Sequence, residues 1–270
     1  MAITLRGYQG PEDLHRQQGF WVQATRPLPW CWKPTVSPLL YSQSPQFDPR
    51  SRCFAFEGNR LVGYCSFTGQ GQFVSLGYPW VLPEYEGELQ EKLYDAVYGF
   101  AASDEYGGRT FAQRFRQPWT AQISFFERHG FVVQRRDPIY GLDLRPGETP
   151  RVAPSCDVAC SAEFCWDDFR ALSEQRLPAE QLNMWRQYFA TVDFDFTVKA
   201  SREGVPLTYF GLAIRSDTGF AEIIGAALDP AAVEALRPSF MVAMAELLAR
   251  NATCLEPVAK PQFAHRIEGS

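Results

Sequence analysis

Among the acidic residues of this 270-residue chain, Glu222 is the best placed for chemistry, in the run Phe220-Ala221-Glu222-Ile223-Ile224. Alternation along a strand puts it on one face with Phe220 and Ile224. A carboxylate among apolar neighbours has its pKa raised toward the range of a general base. The competing reading is a solvated charge at a strand end. Two helix starts are further candidates: Glu86-Gly87-Glu88-Leu89-Gln90-Glu91 and Val233-Glu234-Ala235-Leu236-Arg237-Pro238. Unpaired N–H groups and the positive dipole end make a helix start an anion site. At the first, Glu84, Glu86, Glu88 and Glu91 would repel an anion, or simply favour the helix end. At the second, Arg237 offers a cation while Pro238 removes a backbone donor.

Other chemistries find little support. No Ser/His/Asp arrangement, zinc spacing or phosphate-binding P-loop is visible, and Cys156, Cys160 and Cys165 fit no zinc pattern, so no metal is expected. The formal charge of −5, with no basic run longer than Arg135-Arg136, argues against a nucleic-acid partner. No window of 18 apolar residues exists to span a membrane. The first residues lack a cationic flank and long apolar stretch, so a cytoplasmic protein with reduced thiols is expected among its 7 cysteines.

The elements that position these residues repeat. In the first half, strands are expected at Ile3–Arg6, Cys53–Phe56, Leu61–Phe67 and Phe73–Leu82, with helices from Pro11 and from Gly87 to Ser103. The second half has strands Phe194–Ala200, Leu207–Arg215 and Phe220–Leu228, then a helix after Pro230 ending near Arg250. Phe73 and Phe220 differ by 147, as do Pro83 and Pro230. Adding 147 to the apolar stripe Leu89, Leu93, Ala96, Val97, Phe100 and Ala101 gives Leu236, Phe240, Ala243, Met244, Leu247 and Leu248, apolar throughout. A Pro-rich stretch, Arg145 to Pro154, suits a linker, so domains are expected at 1–148 and 149–270.

The segment Val81-Leu82-Pro83-Glu84-Tyr85-Glu86-Gly87 and its following helix resemble the strand–loop–helix heart of the GNAT (N-acetyltransferase) superfamily. So does Phe125-Phe126-Glu127-Arg128-His129-Gly130-Phe131, after which Val132–Gln134 and Tyr140–Leu144 would supply the first half's last two strands. The resemblance implies an α/β fold of two tandem GNAT-like domains, each a mixed sheet flanked by helices, the second shortened at its C-terminus. It implies acetyl-CoA between splayed strands. Val81 and Leu82, or Leu228 in the second half, would line the free edge, and Gly87 and Leu89, or Arg237, would lie at the diphosphate. Both loops depart from the family's Gln/Arg-x-x-Gly-x-Gly/Ala pattern. Glu222 matches the base of histone-acetylating members, where the first half has Ser75. Phe126 stands where the family has a tyrosine acid; Tyr78, Tyr85, Tyr94 and Tyr140 are the substitutes. The Pro- and Trp-rich stretch Arg26–Pro34 falls where the family shapes its acceptor pocket. The implied activity is acetyl transfer to a small-molecule amine, with a homodimer left open. The alternative is an inactive ligand-binding or scaffold protein.

Overall fold

The computed structural model describes residues 2–29, 37–70, 73–103, 106, 109–136, 141–145, 156–257 and 265–266. Two compact units emerge. Unit 1 comprises Met1–Trp30, Tyr41–Pro138 and Lys260–Ser270; unit 2 comprises Cys31–Leu40 and Ile139–Ala259.

Unit 1 runs through β1 (Ile3–Gly7), α1 (Pro11–Thr25) and, past a one-turn helix α2 (Pro38–Tyr41), to β2 (Arg52–Glu57), β3 (Arg60–Gln70), β4 (Phe73–Leu76) and β5 (Trp80–Val81). There follow α3 (Glu88–Ala101), β6 (Thr110–Ala112), α4 (Thr120–Arg128) and β7 (Val132–Val133). The sheet order is β1-β2-β3-β4-β6, antiparallel except for the parallel β4–β6 pair, with β5 also on β3. The α3 stripe Leu89, Leu93, Val97 and Ala101 is buried against this sheet together with Phe54, Val62 and Phe67. Ala96, expected in the stripe, is exposed and Tyr94 is buried instead. The larger ring at the flank of the stripe reaches Phe125 and Phe126 of α4, which Ala96 could not.

The first helix is fastened to the sheet by an ion pair. Buried Asp13 accepts from Arg6 Nη2 at 2.6 Å and Nη1 at 2.8 Å, and from the Gln9 N–H at 2.8 Å. The hydrogen bonds from Arg6 hold the Asp13 carboxyl below its ordinary value, against desolvation, which would raise it. A depressed folded pKa contributes stability above the unfolded value of about 4, and that stability is lost as pH falls through the folded value. Asp13→Asn should therefore destabilise the protein by about 2–3 kcal/mol at neutral pH, with the gap to the parent closing below about pH 4. Denaturant midpoints measured across pH test this; a gap that stays constant in acid would count against it.

Unit 2 has β8 (Leu142–Asp143), β9 (Asp157–Ser161), α5 (Trp166–Ser173), α6 (Ala179–Phe189), β10 (Phe196–Arg202), β11 (Val205–Arg215), β12 (Phe220–Leu228), α7 (Leu236–Ala249) and β13 (Cys254–Pro257). Its sheet order is β8-β13-β12-β11-β10-β9, with β12–β13 the parallel pair. The mixed α/β architecture and its duplication agree with the sequence pattern. One strand does not. Leu142–Asp143, expected to close the first half, pairs with Cys254–Leu255 in unit 2. Leu144 is buried there among Phe196, Leu212 and Leu247. The physical reason is an edge: β13 would otherwise expose a row of unpaired backbone groups, and Leu144 gains a core to enter. In unit 1, β7 pairs instead with β14 (His265–Arg266).

The 147-residue correspondence also slips at α7. Leu236 is exposed where Leu89 is buried, and Ala235 and Ser239 face inward. A 3-10 stretch, Pro230–Ala235, precedes the helix, and Ser239 Oγ donates to Ala235 O at 2.8 Å while bonding Thr208 on β11. Those hydroxyl contacts rotate the first turn away from the apolar register.

Candidate functional site

The two units bulge the corresponding strand at the same place. In unit 1, parallel pairing of β4 with β6 ends at Ser75↔Ala112. The strand expected to run unbroken from Phe73 to Leu82 then bulges: Gly77, Tyr78 and Pro79 face only Cys65 and Ser66 between the pairs Phe67↔Leu76 and Tyr64↔Trp80. Glycine is required there, since a Cβ on Gly77 would sit 2.6 Å from Ser66 O. In unit 2, β12 pairs with β13 over the described residues up to Ile223↔Pro257, and Ile224 is the extra residue between Leu212↔Ile223 and Gly211↔Gly225. A bulge bends its strand and strengthens local twist.

Beyond each bulge the backbone has the same register. Leu82 N–H donates to Val62 O at 3.0 Å, and Asp229 N–H, 147 residues on, donates to Leu207 O at 2.9 Å. Antiparallel pairing alternates inward and outward groups. The residues just before, Val81 and Leu228, therefore turn their N–H and C=O away from β3 and β11. Val81, Leu82 and Leu89 are buried, and Leu228 is half-buried.

The helix starts differ. Gly87 precedes α3 at φ 97°, a conformation glycine adopts without strain, and its N–H is taken by Gln90 Oε1 at 3.2 Å. The surrounding carboxylates do not stand alone. Glu84 pairs with Arg60 at 3.0 Å, Glu88 with Lys92 at 2.5 Å, and Glu91 with His129 at 2.9 Å. Repulsion of an anion is thus smaller than four acids imply. In unit 2, Asp229 caps the 3-10 turn, accepting from Ala231 N–H at 2.9 Å, so a carboxylate of the chain already sits at that start. Arg237 is exposed in the first turn of α7, and Pro238 beside it is buried.

Where the backbones part in unit 1, aromatic rings span the gap. Tyr78 packs on Trp80 at 4.7 Å and Phe125 at 5.4 Å, and Trp80 on Trp119 at 6.3 Å. Tyr78 Oη accepts from Gln90 Nε2 at 2.7 Å, and burial pushes its pKa up. Phe126 is fully buried. Tyr94 is buried against His129, Tyr85 donates to Glu57 Oε2 at 2.9 Å, and Tyr140 lies outside the described residues. Of the Arg26–Pro34 stretch, Pro29 O accepts from Trp119 Nε1 at 2.8 Å, and Trp30 to Pro34 lie outside the described residues, as does most of the Arg145–Pro154 linker.

Glu222 is buried at 3% exposure, in register with Ala213 of β11 and Glu256 of β13, two residues before the bulge residue Ile224. It is not a solvated strand-end charge. Ser75, at the same station of unit 1, is half-buried.

Two α/β units in one chain, each with a bulged strand that carries a parallel neighbour and leads into a helix, define a tandem GNAT fold. Among solved structures, a tandem GNAT protein from the clavulanic acid biosynthesis pathway covers 98% of this chain and 96% of its own, with a TM-score of 0.61 and 14% identity. A GCN5-related N-acetyltransferase from Sphaerobacter thermophilus covers 98% of this chain and 93% of its own, with a TM-score of 0.51 and 12% identity. No family model and no curated protein matches the sequence. The chain has the acyltransferase fold twice over.

Proposed function

We propose that the chain is a GNAT-type N-acetyltransferase acting on the amine of a small molecule with acetyl-CoA as acyl donor, and that unit 2 is the catalytic unit. The observation that carries this reading is the buried Glu222 beside the bulge of β12, where unit 1 offers only Ser75. Glu222, directly or through a water, takes a proton from the substrate ammonium. The amine nitrogen then bonds to the thioester carbonyl carbon and the C–S bond breaks. The nitrogen's second proton passes to the thiolate, leaving an amide, CoA thiol and one released proton. The outward backbone of Leu228 supports pairing with the pantetheine, and Arg237 supplies a cation near the helix start. In unit 1, Val81, Leu82, Gly87 and Leu89 hold the corresponding places.

A non-catalytic binding protein is the second reading, favoured by the Asp229 cap and by the rings that span the unit 1 gap. Acetyl-CoA separates the two. At a hundredfold excess over Kd it should stabilise the fold by about 2.7 kcal/mol, raising the melting temperature by several degrees. Absence of any shift at millimolar acetyl-CoA, with no heat in calorimetry, would sink the enzyme.

A further inference from the structure

We infer that unit 2 binds a small aromatic α-amino acid, its ring held in a cavity between α5 and α6 and its carboxylate by Arg186. As the choice of acceptor, this rests on the acetyl-transfer reading above. The cavity has a volume of ≈ 400 Å³, within the range of small-molecule sites. Its walls are aromatic: Phe164, Trp166, Phe189 and Phe194, with Val192. Phe164 and Phe194 stack at 4.6 Å and 10°, and Phe164 meets Phe189 at 4.9 Å. Phe164, Trp166 and Phe194 are only half-buried, so ring surface remains for a ligand to cover. Flat rings select a flat ring, since offset and edge-on aromatic contacts add to the burial itself.

The position ties the cavity to the reacting strand. Gly211 and Gly225 face each other across β11 and β12, flanking the bulge three residues beyond Glu222. Each lacks a side chain where a ring presses on the backbone: Phe194 lies against Gly211, and Phe189 Cζ is 2.8 Å from where a Cβ on Gly225 would be. The aromatic floor thus rests on the bulge, although Glu222 itself does not line the cavity. Charge at the mouth supplies the second half of the recognition. Arg186 is exposed on α6 and, among the described residues, has no ion pair, so its planar fork is available to a carboxylate.

The test is binding of L-phenylalanine to the full chain, followed by calorimetry and by Trp166 fluorescence, without acetyl-CoA. L-Phenylalanine should bind at least about tenfold more tightly than L-alanine or 2-phenylethylamine, a difference of about 1.4 kcal/mol. Arg186→Gln should remove about that tenfold for L-phenylalanine and nothing for 2-phenylethylamine. Ala190→Trp, at an exposed lining position, should fill the cavity and abolish binding. Unchanged thermal melts for both variants show that the fold is intact. No binding of L-phenylalanine at millimolar concentration, or binding indifferent to both substitutions, overturns the site. Formation of N-acetylphenylalanine from acetyl-CoA supports the acceptor assignment. Binding without acetylation supports the site and overturns its use as acceptor. Acetylation of an aliphatic amine that ignores both variants overturns the site and leaves the transferase standing.

Discussion

Glu222→Gln is expected to lower turnover with acetyl-CoA by about 10²–10⁴-fold, the span over which a positioned general base contributes. Glutamine keeps the size and the polar end of the side chain, so packing beside Ala213 of β11 survives. It cannot hold a proton from the ammonium. Acetyl-CoA affinity should hold, because the contacts proposed for the cofactor are Leu228 and Arg237 rather than Glu222. The loss therefore belongs in kcat, as for an interaction used only in the transition state. Ser75→Ala, at the matching station of unit 1, should change neither quantity. If Glu222→Gln turns over like the parent, the base lies elsewhere and unit 2 loses its assignment.

Much of this site could be read before the fold was seen, because the repeat acts through backbone geometry. An offset of 147 residues already aligned the β4 and β12 strands and their prolines. It also carries the backbone bond of Leu82 onto that of Asp229. What escaped is tertiary. The bulge at Gly77 breaks an apolar run that reads as one strand, since one extra residue leaves no periodic trace over so short a span. Ser239 looks like a polar interruption until Thr208 meets it from the sheet and turns the helix. The caps at Gly87 and Asp229 involve side chains two or three residues away, and four acids at a helix start give no sign of Arg60, 24 residues upstream of Glu84. The unit 2 cavity was missed because Phe164 and Trp166 lie far along the chain from Phe189 and Phe194. None of them forms a spaced motif.

A chain begun at residue 149, the division proposed for the sequence repeat, should be less stable than one begun at residue 139. The shorter chain loses β8, and with it the pairs Cys254↔Asp143 and Leu255↔Leu142 and the bond from Leu144 N–H to Thr253 O at 2.9 Å. It also empties the place of Leu144, buried among Phe196, Leu212 and Leu247. Deleting such a leucine side chain alone costs about 2–5 kcal/mol. Each lost ladder bond adds roughly 1 kcal/mol. Against a typical total of about 5–15 kcal/mol, that is enough to unfold a marginal unit. The bare β13 edge gives a second readout, because unpaired strand edges recruit other chains. Both fragments lack the Cys31–Leu40 segment, including the Ser37 N–H bond to Thr191 O, so its absence cancels in the comparison. In the full chain, Leu144→Ala isolates the burial and should lower the denaturant midpoint by the leucine share alone. Equal midpoints and equal light scattering for the two fragments would mean that β13 needs no partner on that side. Unit 2 would then be closed without Leu142–Asp143.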